Sequence, residues 1–384
     1  MTVRLDNSDS KWFRLEPEAI ESLIQLLKAD DFKIIAPTEY QKTIDYREID
    51  HASELPIGKK DSQSPGQYRL VSTEEKSYFG FNLGIGSWKK FIFPAREKIW
   101  VSKKSESVPQ TTLPPAEKLA FFGVRACELA AIGVQDRVLL GQQFTDKRYA
   151  ARRQSILIIA VNCSTSASTC FCASMATGPR AKDGYDIEIS EFCDSNQHFF
   201  LIRGASTIGK SVVDRLELVV AGNDAEQMVA AQSQRVARMQ TRSIPQANIR
   251  NELIAASDSP VWDDIAERCL SCANCTMACP TCFCTGAEDV TDLSGDHSER
   301  WRTWDSCFNL DYSYIHGGSV RKSTASRYRQ WITHKLATWH DQFGESGCVG
   351  CGRCVTWCPV GIDITEEAGR LRLSIATKSE AQDA

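Results

Sequence analysis

Two stretches of the sequence space their cysteines alike. Cys269, Cys272, Cys275 and Cys279 stand in the order C-x-x-C-x-x-C-x-x-x-C with Pro280 behind them, and Cys348, Cys351, Cys354 and Cys358 repeat the order with Pro359. Such a loop can close three thiolates on one face of a cubane [4Fe-4S] core, while its fourth cysteine, carried off on a short helix, reaches the other core. The expected ligand sets are therefore crossed: Cys269, Cys272, Cys275 and Cys358 for one cluster, and Cys348, Cys351, Cys354 and Cys279 for the second. A pair of Cys₄ zinc sites is the competing chemistry, but zinc knuckles favour paired C-x-x-C units over a triplet with a remote fourth cysteine.

Sixteen cysteines are present, so eight remain. Cys127 follows the apolar run "LAFFGV" at the start of a helical pattern, and Cys163, Cys170 and Cys172 follow the run "ILIIAV". Both groups fall at carboxyl ends of expected strands, where open α/β sheets place their sites. They are candidates for a third iron–sulfur cluster. Cys282, Cys284 and Cys307 are weaker candidates, read either as an incomplete cluster site or as reduced thiols packed beside the clusters. Cys193 is read as core. The six histidines show no convincing ligand spacing and are read as solvated or core residues.

Positioning these residues requires more than one folding unit. The chain has 384 residues, 42% of them hydrophobic and 24% charged, enough for two or three cores. A net charge of −4 with scattered basic residues argues against nucleic-acid binding. No export signal or membrane-spanning run is visible, so a cytoplasmic protein without membrane insertion is expected. Reduced thiols and bound metal, not disulfides, are the expected state of its cysteines. Residues 1–222 read as an α/β domain with a partly parallel sheet, 223–259 as a helical connector, 260–375 as the cluster-bearing domain and 376–384 as a polar tail. Within the third region, Tyr328, Trp331, Ile332, Leu336, Trp339 and Phe343 keep helical spacing, with Ser323 or Thr324 as N-cap and Gly344 as the stop. The region resembles the all-α, α-helical ferredoxin-type dicluster domains of larger redox complexes. "GIGSWK" at 84–89 lacks the final glycine of a dinucleotide fingerprint, and neither a Walker loop nor a nucleophile elbow is present.

Four segments, "FFGVRACELAAIGVQDRVL", "NCSTSASTCFCASMATGP", "CPTCFCTGAEDVTDLSGDHSERWRTWDSCF" and "RYRQWITHKLATWHDQFGESGCVGCGRCVTWCPVGIDIT", together resemble the beta (iron–sulfur) subunit of cytosolic nickel–iron hydrogenases of the sulfhydrogenase type. They are also similar to the corresponding subunit of anaerobic sulfite reductase. The likeness runs from about residue 80 to 370. Ala126 and Glu128 depart from it where the family often has Pro and Asp, and Ala176 where it often has Gly.

The resemblance implies a non-catalytic electron-transfer subunit. It would relay single electrons from an NAD(P)H-linked flavoprotein subunit to catalytic nickel–iron subunits with a small iron–sulfur subunit, or to a sirohaem subunit in the sulfite reductase case. A reading of another class is a catalytic iron–sulfur protein acting on a sulfur substrate at Cys282, Cys284 and Cys307. Metal used only as a structural staple is the third.

Overall fold

The computed structural model describes residues 11–382 except 107, 112, 116 and 142, with side chains as far as 375. Strands β1 (Phe13–Leu15), β2 (Lys33–Tyr40) and β3 (Thr43–Ile49) come first, followed by a hairpin of β4 (Lys59–Ser64) and β5 (Gln67–Ser72) and by β6 (Arg96–Lys103). Next come β7 (Leu119–Val124), β8 (Ile156–Val161), β9 (Ile187–Cys193), β10 (His198–Gly204) and β11 (Val219–Val220). Eight of these build one sheet in the order β11-β1-β10-β9-β8-β7-β2-β3. β2, β7, β8 and β9 are parallel, and antiparallel strands finish both margins, so the sheet is partly parallel as expected.

β7 and β8 are apolar at nearly every position because both sheet faces are covered. Phe122, Leu157, Ile159 and Val161 pack on one face with Ile20, Leu23, Ile24 and Leu27 of the helix Ala19–Ala29. Phe121, Val124, Ile158 and Ala160 pack on the other with Leu129 and Ile132 of the helix Ala126–Leu139 and Tyr149 of Lys147–Gln154. Each of the Val, Leu, Ile and Phe side chains contributes about 1.5–3 kcal/mol when fully buried.

The C-terminal region departs from the all-α expectation. Its cysteine loops lie among the helices Val261–Arg268, Asn274–Met277, Thr324–Thr333, Arg353–Thr356 and Ile364–Gln382, but β12 (Thr285–Thr291) and β13 (His297–Trp304) form a hairpin. β13 also pairs with β6, making a three-stranded antiparallel sheet shared between the α/β region and the cluster-bearing region. The reason is local turn chemistry plus a distant edge. Gly295 takes the left-handed φ of +71° in the turn, Asp292 accepts from the Asp296 amide, and β6 supplies the hydrogen bonds that a lone hairpin lacks. In the Trp-rich segment, Ser323 caps the helix by accepting from the Ser326 amide, a π-helical turn interrupts it at His334–Thr338, and Gly344 ends it at φ +73°. The backbone of the polar tail is helical to Gln382; its side chains and residues 383–384 lie outside the described residues. Among the described residues no helix is long and apolar enough to cross a membrane.

Candidate metal centres

Cys269 ends the helix Val261–Arg268, and the loop beyond it turns inward through left-handed backbone at Ser271 (φ +50°) and Ala273 (φ +64°). The helix Asn274–Met277 then carries Cys275. The second loop makes the same turns with Gly350 (φ +64°) and Gly352 (φ +78°), and the helix Arg353–Thr356 carries Cys354. Cys269, Cys272, Cys275 and Cys358 line one cavity, walled by Phe308, Tyr328 and Trp331. Cys279, Cys348, Cys351 and Cys354 line a second, with Phe171, Thr281 and Lys335. Cys358 reaches the first cavity and Cys279 the second, each from the other loop, and Cys354 borders both. Backbone amides point at sulfur in both: Ser271 to Cys269 (3.4 Å), Ile362 to Cys358 (3.3 Å) and Gly350 to Cys348 (3.5 Å).

Cys127, Cys163, Cys170 and Cys172 also come together, at the carboxyl ends of β7 and β8. Burial raises all four thiols; the sulfurs of Cys172 and Cys163 add to the rise at both Cys127 and Cys170, and Cys172 itself is pushed up to about 12. Four thiolates crowded in a dry pocket repel one another until a cationic metal core compensates them. The group abuts the second cavity. Cys351 lies in the field of both Cys127 and Cys172, the Phe171 amide donates to Gly350 O (2.9 Å), and Thr177 donates to Val349 O (2.6 Å). Ala176, where the resembled family often has Gly, holds the left-handed φ of +56°.

The other three candidates divide. Cys282 donates to the Cys279 sulfur, which, with the Lys335 ammonium and against burial, holds the Cys279 thiol well below its usual range. Cys284 instead meets the Tyr312 hydroxyl, with Cys307 beside them. Cys193 lies elsewhere, half-buried at the end of β9.

Two buried cations face this region. Lys335, in the π-helical turn, donates to Cys279 Sγ at 3.2 Å and to Thr281 Oγ1 at 2.8 Å. Burial alone would lower its pKa, but Cys279, Cys282 and Cys348 outweigh that and hold it well above the ordinary lysine value. Lys89 donates to Cys279 O and Cys282 O and sits 3.6 Å over the Trp304 ring; burial pulls its pKa down.

Donors to a single tetrahedral zinc must come within about 3.8 Å of each other, given Zn–S bonds of about 2.3 Å. Among the described residues no three cysteine sulfurs lie within 4.8 Å of one another. Sulfurs that line one cavity without converging on a point fit the larger iron–sulfur core. Residues 268–362 match a 4Fe-4S dicluster domain. Over 279 residues the chain is 31% identical to sulfhydrogenase 2 subunit beta of Pyrococcus furiosus, covering 72% of this chain and 79% of the relative. The chain belongs to the sulfhydrogenase beta-subunit family. As a beta subunit of this type it is an iron–sulfur electron-transfer protein. No solved structure matches it.

Three features of this beta subunit escaped the reading of its sequence. Lys335 was detectable, because it falls on the apolar stripe of the Trp-rich helix where a lysine has no business unless it has a partner. The buried pair of Arg353 and Glu128 (2.6 Å) ties the second loop to the helix bearing Cys127, with Tyr46 and Trp88 also donating to Glu128. Glu191, Cys193 and His198 stand together on the β9–β10 hairpin, far from the loops in sequence.

Proposed function

We propose that this chain relays single electrons through three [4Fe-4S] centres, between a flavoprotein subunit that reacts with NAD(P)H and catalytic nickel–iron subunits accompanied by a small iron–sulfur subunit, in the cytoplasm. The ligand sets are Cys269, Cys272, Cys275 and Cys358; Cys348, Cys351, Cys354 and Cys279; and Cys127, Cys163, Cys170 and Cys172. Their contiguity carries the reading. Cys354 borders both ferredoxin-loop cavities, and Cys351 neighbours Cys127 and Cys172, so the three sets form an unbroken series.

Bound clusters supply one-electron chemistry. The chain supplies the thiolates, walls of Phe308, Tyr328 and Trp331 that exclude water, and the Lys335 ammonium, which favours the more negative, reduced state of the middle centre. Exposed Cys272 marks the end of the series nearest solvent. Just after Phe308, which walls the first cavity, Leu310, Tyr314, Ile315 and Val320 are exposed and offer an apolar face to a neighbouring subunit, whereas Phe308 and Trp304 are packed inside.

Anaerobically purified chain should take electrons from dithionite but not from NADPH or NADH until a flavoprotein partner is added, because a hydride must first be split into single electrons. Reduction by NADPH without a partner, with stoichiometric bound flavin, would contradict the relay.

A further inference from the structure

We propose that Glu191, Cys193 and His198 form a mononuclear site for a divalent transition ion of the zinc class, separate from the iron–sulfur centres. Among the described residues they are the one group of three or more metal-ligating side chains whose donor atoms all lie within 4.8 Å of one another. No three cysteine sulfurs among the described residues come within that 4.8 Å, whereas these three donors do. Cys193 and His198 are directly paired across the β9–β10 hairpin, and Glu191 lies two residues before Cys193, so strand periodicity puts all three on one face. Thiolate, imidazole and carboxylate are the zinc donors, and three of them leave a fourth position for water.

The donors are held in place. The Glu191 carboxylate, fully buried, accepts from the backbone amides of Tyr78 (2.6 Å) and Phe79 (2.8 Å), and His198 packs against the rings of Tyr78 and Phe200. Such outer contacts orient metal ligands. His198 Nε2 and Glu191 Oε1 share a hydrogen bond at 2.9 Å, which a metal ion would replace, with release of the thiol proton while the neutral ring keeps its own proton on Nδ1.

A cavity of about 510 Å³ adjoins the group and is lined by Glu191 and Cys193. Two buried polar atoms on its wall have no hydrogen-bond partner among the described residues: the Ser77 hydroxyl, 4% exposed, and Gln232 Oε1, 7% exposed. Buried polar groups are nearly always hydrogen-bonded, so a ligand or water on the open metal position has waiting partners.

Zinc content of the full-length, cluster-loaded protein tests the site. After dialysis against zinc and then buffer, wild type should retain one zinc per chain. Cys193→Ser and, separately, His198→Gln should each weaken binding by more than the ~10–100-fold that loss of an outer contact costs, with iron content unchanged. Cobalt(II) in place of zinc should give a thiolate-to-metal charge-transfer band that Cys193→Ser abolishes. Iron content reports whether each variant is folded, and the wild-type cobalt spectrum stands alone if neither is. No retained zinc in wild type, equal zinc in wild type and a folded variant, or a cobalt complex without the thiolate band would overturn the proposal.

Discussion

The two cysteine loops share spacing and backbone turns, yet one borders solvent and the other is enclosed. Leu270 is 63% exposed, whereas Val349, its counterpart, is 3% exposed. The Asn274 side chain donates to Trp357 O at 3.3 Å, while Arg353 in the same place is ion-paired to Glu128 and donates to the carbonyls of Gly84 and Gly86. Ser271 and Ala273 carry side chains on left-handed backbone at φ +50° and +64°. Gly350 and Gly352 have no alternative, because a Cβ on them would lie 2.7 Å from Cys172 Cα and 2.5 Å from Thr169 O. One cluster motif has thus been used twice, once facing outward and once as a joint pressed against the 169–172 loop and the helix Ala126–Leu139.

Breaking the joint should cost far more than altering the outward-facing loop. Arg353→Leu strands Glu128 as an unpaired buried charge and should lower stability by about 3–5 kcal/mol. Asn274→Leu should stay within about 0.5 kcal/mol. Denaturant titration of the two variants checks this; equal losses would dissolve the distinction. Gly352→Ala comes next, at about 2–4 kcal/mol, because strain from the left-handed backbone adds to the clash with Thr169. Ala273→Gly should stay within about 1 kcal/mol, since relief of the left-handed strain offsets the loss of a buried methyl. Thermal melts with iron retention as a second readout separate the pair.

The smallest effect is electronic. Lys335→Met removes a positive charge and a hydrogen bond from the Cys279 sulfur, so the reduced state loses more than the oxidised one. The potential of the enclosed centre should fall by on the order of 50 mV, the scale of a differential interaction near 1 kcal/mol in a one-electron couple. The centre in the 269–275 loop should hold its value. EPR-monitored redox titration reads both, and a shift in the outer centre alone would mean that Cys279 serves that cluster.

Features that rest on short-range pattern were legible in the sequence. The ferredoxin loops announce themselves through spacing, and β7 and β8 through apolar runs that only a doubly covered strand can carry. Cys127 and the 163–172 group were legible one step further, because strand ends in a parallel sheet converge. What stayed hidden was assembled from residues distant in sequence. β13 needed β6 to become part of a sheet, and Glu128 gives no hint of Arg353. Read singly, Cys193 looks like core and His198 like a solvated or core residue; only the hairpin register makes them neighbours of Glu191. Cys282 shows a limit of another kind. Proximity in sequence grouped it with Cys284, but the turn after Pro280 aims it at Cys279.

The series of three centres is tested most directly by counting iron and acid-labile sulfide in anaerobically purified protein, with Cys170→Ser beside the wild type. About twelve irons per chain are expected in the wild type, falling to about eight in Cys170→Ser, with the centres of the two ferredoxin loops still giving their EPR signals. About eight irons in both proteins would contradict the account, leaving Cys127, Cys163, Cys170 and Cys172 as buried thiols and the series one centre short.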